Sequence, residues 1–198
     1  MTPRTGRRPG TRATRDQILE AARGTFGEVG YDRATIRGIA SAAGVDPALV
    51  HHYFGSKEDL FVAALELPIN PAVAVRGLLA EGLEGAGERI VRFFLSVWDA
   101  RENQPALMSM LRAALTNDRA FTMFREFAGR AIIGAVADAL PGRDAALRAS
   151  LVGAHMMGVA VLRYAGKLEP LASAQPEDIV ALVGPRIQAY LTGPHPRG

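Results

Sequence analysis

The 198-residue chain contains no cysteine, which removes disulfides, thiolate nucleophiles and Cys-based zinc sites before any motif is weighed. Paired-histidine metal motifs, Gly-rich phosphate loops and nucleophile elbows are also missing, and with them the commonest catalytic constellations. Aromatic residues make up only 7% of the chain, with one tryptophan. Period-two alternation of apolar and polar residues, the mark of half-buried strands, is absent. The most apolar stretch, 149–162, is too short to cross a bilayer and contains His155. The first residues carry arginines but lack the apolar stretch of a signal peptide. These absences lead us to expect a soluble, cytoplasmic protein in a reducing compartment, not an enzyme, with no metal, cofactor or membrane partner.

What is present is a chain 48% apolar, enough to bury a substantial core. The net charge of +3 says little, but its placement says more: Arg4, Arg7, Arg8, Arg12 and Arg15 precede the first acidic residue. Thr2, Pro3, Thr5, Gly6, Pro9 and Gly10 make that stretch a poor helix, so residues 1–11 read as a flexible basic arm. Beyond it apolar residues recur at three- and four-residue spacing, and Gly or Pro punctuates the segments, which indicates an all-α protein.

A first helix is expected over 15–29, with Thr14 and Gln17 as a capping box and Gly30 closing it. Thr35 caps a second helix through Ala43, Gly44 turns the chain, and Asp46 with Pro47 opens a third helix to Tyr53. Ser56 and Asp59 form a further capping box ahead of a fourth helix, which Pro68 and Pro71 interrupt. Residues 12–67 then form one domain and 68–198 a larger one. Helices are expected in the latter over 72–82, 86–101, 105–115, 118–140, 144–168 and 177–191, with a kink at Gly184-Pro185.

The segment 35–53 holds two short amphipathic helices around a tight turn, with Ile36, Ile39, Ala40, Ala43, Val45 and Val50 available to bury between them. Lys57 follows at the start of the fourth helix, where its charge opposes the helix dipole and a phosphate would relieve the conflict. The Tyr53 and Ser56 hydroxyls and free backbone N–H groups could join it on one DNA phosphate. His51-His52 does not read as a metal site, because adjacent helical side chains diverge by about 100°.

Gly30-Tyr31 through Thr35, Ile39-Ala40, Ala43-Gly44-Val45 and Tyr53-Phe54-x-Ser56-Lys57-x-x-Leu60 resemble the tetracycline-repressor (TetR) family over residues 12–66. The resemblance implies a three-helix helix-turn-helix domain joined to a larger helical ligand-binding and dimerisation domain. It implies a homodimeric repressor on a near-palindromic operator, modulated by a small-molecule effector that acts through the fourth helix. Carried over by position, Thr35 and Ile36 meet the DNA backbone and Arg37 reaches a base. Pro47, Ala48 and Leu49 face base edges, His51 and His52 reach bases or phosphates, and Tyr53 and Lys57 hold phosphates. Leu49 and His51 depart from the threonine and tyrosine frequent at those positions, so a hydroxyl contact is lost at each. The basic arm would track phosphates or enter the minor groove.

In the second domain a Met and aromatic stripe reads first as core. The resemblance places a ligand cavity near Trp98, Met108, Arg112, Phe127, Met156 and Tyr164. His155 fits a satisfied core or interface histidine better than a ligand contact. The last two long helices carry small residues, Ala149, Gly153, Ala154, Gly158 and Ala160, suited to packing either on a symmetry mate or within the chain.

Overall fold

The computed structural model describes residues 11–193, so the arm expected over 1–11 lies outside the described residues except for Thr11, which is helical. All regular structure described is helical, and the chain divides into two compact units, one to Glu66 and one from Leu67.

The first unit holds α1 (Thr11–Arg33), α2 (Ile36–Ala42), α3 (Pro47–Phe54) and α4 (Lys57–Ala64). Helix α1 begins at Thr11, ahead of the expected start, so Thr14 lies inside it and does not cap it. Gln17 is consequently free to do something else: its Nε2 donates to the Ala43 carbonyl at 2.8 Å, pinning α1 to the end of α2. Gly30 leaves the helical region (φ 82, ψ 171) and kinks the helix before its last turn. The first unit buries Ile18, Phe61, Ile39 and Leu60 completely, each worth about 1.5–3 kcal/mol. Phe26, Tyr31 and Phe61 form an aromatic cluster whose edge-to-face pairs have centroids 4.9 Å apart.

The second unit comprises α5 (Pro71–Ala80), α6 (Ala86–Asp99), α7 (Gln104–Thr116), α8 (Asp118–Phe127), α9 (Gly134–Ala139), α10 (Ala145–Ala160) and α11 (Pro176–Thr192). Short π-helical turns over Ala128–Ile133 and Val161–Ala165 join α8 to α9 and extend α10. The tightest crossing is α6 on α11. A Cβ on Gly87 would run into the Gly184 carbonyl, and one on Gly184 would meet Glu88. Gly184 thus serves close helix approach, and Pro185 beside it lies inside α11. Gln188 seals the crossing by accepting from the Gly87 N–H and donating to the Leu83 carbonyl, both at 2.9 Å.

The helix around His155, expected over 144–168, runs over Ala145–Ala165, and its apolar part extends beyond 149–162. Together α10 and its π turn run 21 residues with mean hydropathy 1.5, long and apolar enough by length and composition to cross a membrane. Its inner face is core: Ala149, Val152, Met156 and Val159 are buried against α6, α9 and α11, and Ala160 with Trp98, Leu107 and Leu111 of α6 and α7. His155 packs its ring edge-on against Tyr190, centroids 6.2 Å apart.

Candidate nucleic-acid interface

Helices α2 and α3 are set by their own first residues. Thr35 accepts from the Gly38 N–H at 3.0 Å and Asp46 from the Ala48 N–H at 2.7 Å, satisfying donors that the helix start leaves unpaired. Between them Gly44 takes φ +64, a conformation L side chains adopt rarely. Val50 and Phe54 face inward, while Ala48, Leu49, His51 and His52 are exposed and Pro47 and Tyr53 half-buried. Arg15, counted with the basic N-terminal residues, is an α1 side chain whose guanidinium lies over the Phe54 ring, 5.2 Å from its centroid. Arg15 and Gln17 thus help to place α3, and neither role shows in local spacing because their partners lie far along the chain.

On the same unit Thr35 and Arg37 are exposed and Ile36 is half-buried. His52 and Tyr53 meet edge to face at 5.4 Å. The Nδ1 of His51 is 2.9 Å from the Gly55 carbonyl.

The start of α4 differs from the expected open anion site. The Ser56 hydroxyl accepts from the Asp59 N–H at 3.0 Å and donates to the Asp59 carboxylate at 2.6 Å, so it is committed within the helix start. Lys57 folds back over the Tyr31 ring, 4.5 Å from its centroid, and its Nζ donates to the Asp32 carbonyl at 3.2 Å. The cation–π contact and carbonyl answer the unfavourable position of Lys57 beside the helix dipole, with Glu58 and Asp59 supplying negative charge. A phosphate held here would compete with those contacts.

In the second unit, a cleft of about 480 Å³ lined by Gln104, Pro105, Met108, Ser109 and Arg112 brings together two of the six residues placed at a ligand cavity. The other four do not line it, although Trp98 and Tyr164 share an apolar cluster with Met108. Trp98 is buried and stacks on Tyr164 with centroids 5.0 Å apart, and Phe127 and Met156 are buried in the core. The Tyr164 hydroxyl donates to Asp99 at 2.9 Å, and burial followed by the Asp99 carboxylate holds its phenol above the ordinary tyrosine range. Arg163, itself buried, donates to the Leu171 and Ala174 carbonyls at 2.6 and 3.0 Å.

Residues 18–64 match the family model for bacterial regulatory proteins of the tetR family, and residues 84–191 match the model for the tetracyclin repressor-like C-terminal domain. The chain belongs to the TetR family. TetR-family proteins are DNA-binding transcriptional regulators, not enzymes, and α2 to α3 is this member's helix-turn-helix. Over nearly the whole chain it is similar to a TetR-family regulator from Streptomyces coelicolor, with 43% identity, 94% of this chain and 99% of that one covered, and a TM-score of 0.54.

Curated relatives match over shorter stretches. The transcriptional repressor NicS of Pseudomonas putida is 34% identical over 113 residues, 53% of this chain and 52% of that protein. The regulator BetI of Rhizobium meliloti is 43% identical over 63 residues, 32% of this chain and 30% of that protein. The chain therefore spans about a third to a half of the length of these two curated relatives.

Proposed function

We propose that the protein is a homodimeric transcriptional repressor that binds a near-palindromic operator through α3 and is modulated by a small-molecule effector in the cytoplasm. The observation that carries this reading is the partition of α3. Its inward residues Val50 and Phe54 are buried, while Ala48, Leu49, His51 and His52 are exposed on a helix fixed at its start by Asp46. An α-helix so presented fits a major groove, and a two-fold dimer would place two of them about one turn (~34–36 Å) apart. Arg37 is the base reader beside it, and Thr35, Ile36, Pro47 and Tyr53 complete the contact surface. Lys57 reaches a phosphate by leaving the Tyr31 ring.

Apolar exposure supports the dimer. Leu147 and Leu151 on α10 and Leu182 on α11 are 62%, 40% and 76% exposed, with Ala154 and Gly158 exposed beside them. Val183 packs against the core, so Leu182→Arg is the cleaner probe: sedimentation should show monomers that remain helical. An intact dimer would remove α11 from the interface.

The Met108 and Arg112 cleft is the place to seek the effector, which lowers operator occupancy by preferring a state that does not bind DNA. The test of the whole reading is selection of binding sites from random duplex DNA. A near-palindrome is expected, with Arg37→Ala relaxing one position per half-site and Lys57→Ala weakening all sites alike. Enrichment of no sequence, with or without ligands that raise thermal stability, would overturn it.

A further inference from the structure

His51 lies on the exposed side of α3, one residue beyond the buried Val50. Its Nδ1 is 2.9 Å from the Gly55 carbonyl oxygen, and the Gly55 N–H donates back to the His51 carbonyl at 2.8 Å. A carbonyl oxygen only accepts, so the proton of this contact sits on Nδ1. In a neutral ring Nε2 is then a bare lone pair, and the bond to Gly55 holds the ring in that tautomer and orientation. Such a reader differs from a tyrosine hydroxyl, which donates and accepts, and from an arginine, which only donates. In the major groove the donors that a lone pair can meet are the exocyclic amines, adenine N6 and cytosine N4. Guanine O6 and N7, thymine O4 and phosphate oxygens offer it only lone pairs.

We propose that His51 is a specificity-determining residue whose Nε2 accepts a hydrogen bond from the exocyclic amine of an adenine or cytosine in the operator, held to that role by the Gly55 carbonyl. This assignment rests on the reading of α3 as the helix that enters the groove, and it adds which chemical group one of its residues recognises.

Two measurements test it. Imidazole ¹⁵N spectra of the full chain should show His51 as the Nδ1–H tautomer, whereas an Nε2–H tautomer overturns the proposal. On DNA, His51→Leu should relax one operator position per half-site. At that position an analogue lacking the amine, purine for adenine or 2-pyrimidinone for cytosine, should weaken wild-type binding roughly tenfold and leave His51→Leu unchanged. A 7-deaza purine in the same base pair should cost wild type nothing. His51→Gln, whose amide both donates and accepts, should keep the amine dependence and add dependence on N7.

A penalty from 7-deaza substitution alone, or none from removing the amine, would overturn the assignment while leaving the operator, and so α3, in place. Failure of wild type to select any operator would overturn both. Should His51→Leu not fold, the ¹⁵N spectrum and the two wild-type analogue titrations still decide the matter.

Discussion

The two units differ in how their helices begin. In the first, Thr35, Asp46 and Ser56 each cap the helix they precede, with partners two or three residues away, and Gln17 and Arg23 reach from α1 to the Ala43 and Ala64 carbonyls. In the second, α5 and α8 are capped in the same way by Asn70 and Asn117, but α6, α7, α10 and α11 have no side-chain cap of their own. Long side chains from α6, α10 and α11 instead meet carbonyls at the ends of α5 and α11 and in the loops before α6 and α10, and one N–H at the start of α6. Arg148 donates to the Pro141, Tyr190 and Leu191 carbonyls, Arg89 to those of Leu78, Gly82 and Glu84, and Gln188 closes the start of α6. A helix that carries its own cap can vary its exposed residues without losing its start. Where one guanidinium serves several carbonyls, as Arg89 and Arg148 do, its loss should cost more.

The largest expected effect is at the α6 and α11 crossing. Gly87→Ala sets a methyl against the backbone of α11 and should destabilise the chain by about 3 kcal/mol or more, read by denaturant unfolding. Wild-type stability in that variant would mean that the helices separate without cost. Next is Arg148→Met, which keeps bulk but leaves several carbonyls short of donors. A loss of about 2–4 kcal/mol is expected, against the roughly 1 kcal/mol of a surface cap. Thr35→Ala and Asp46→Ala should each cost about 1 kcal/mol. If either matched Arg148→Met, the contrast between local and distant anchoring would collapse.

The smallest effect is one of pH. Because the folded state holds the Tyr164 phenol above its unfolded value of about 10, the folded state favours the neutral form. The stability this contributes is complete below about pH 10 and is lost as pH rises further. Tyr164→Phe should therefore flatten the alkaline fall in melting temperature relative to wild type. An identical fall in both would show that the phenol does not titrate against folding.

The same contrast explains what the amino-acid sequence reveals. Short-range rules mark the starts of α2, α3 and α4 because Thr35, Asp46 and Ser56 act within three residues, and Gly44 marks its turn by a conformation few other residues accept. The start of α1 is harder to read, since Thr14 and Gln17 mimic a capping box while Gln17 bonds a carbonyl 26 residues away. The commitment of Lys57 to Tyr31 and the Asp32 carbonyl likewise depends on contacts made only after folding. In the second unit helix positions follow from periodicity, but the close approach of Gly87 and Gly184 depends on which helices meet. Trp98 and Met108 share a methionine and aromatic pattern and one apolar cluster, yet Trp98 is buried in it against Tyr164 while Met108, at its edge, also lines a cleft.

The claim that α3 reads DNA is tested most directly by replacing its exposed residues Ala48, Leu49, His51 and His52 together with serine. Site selection and a salt titration would then be compared with wild type. The account predicts an unchanged fold and persistent salt-dependent binding to any duplex, with the operator motif lost. Selection of the same near-palindrome by the variant would contradict it.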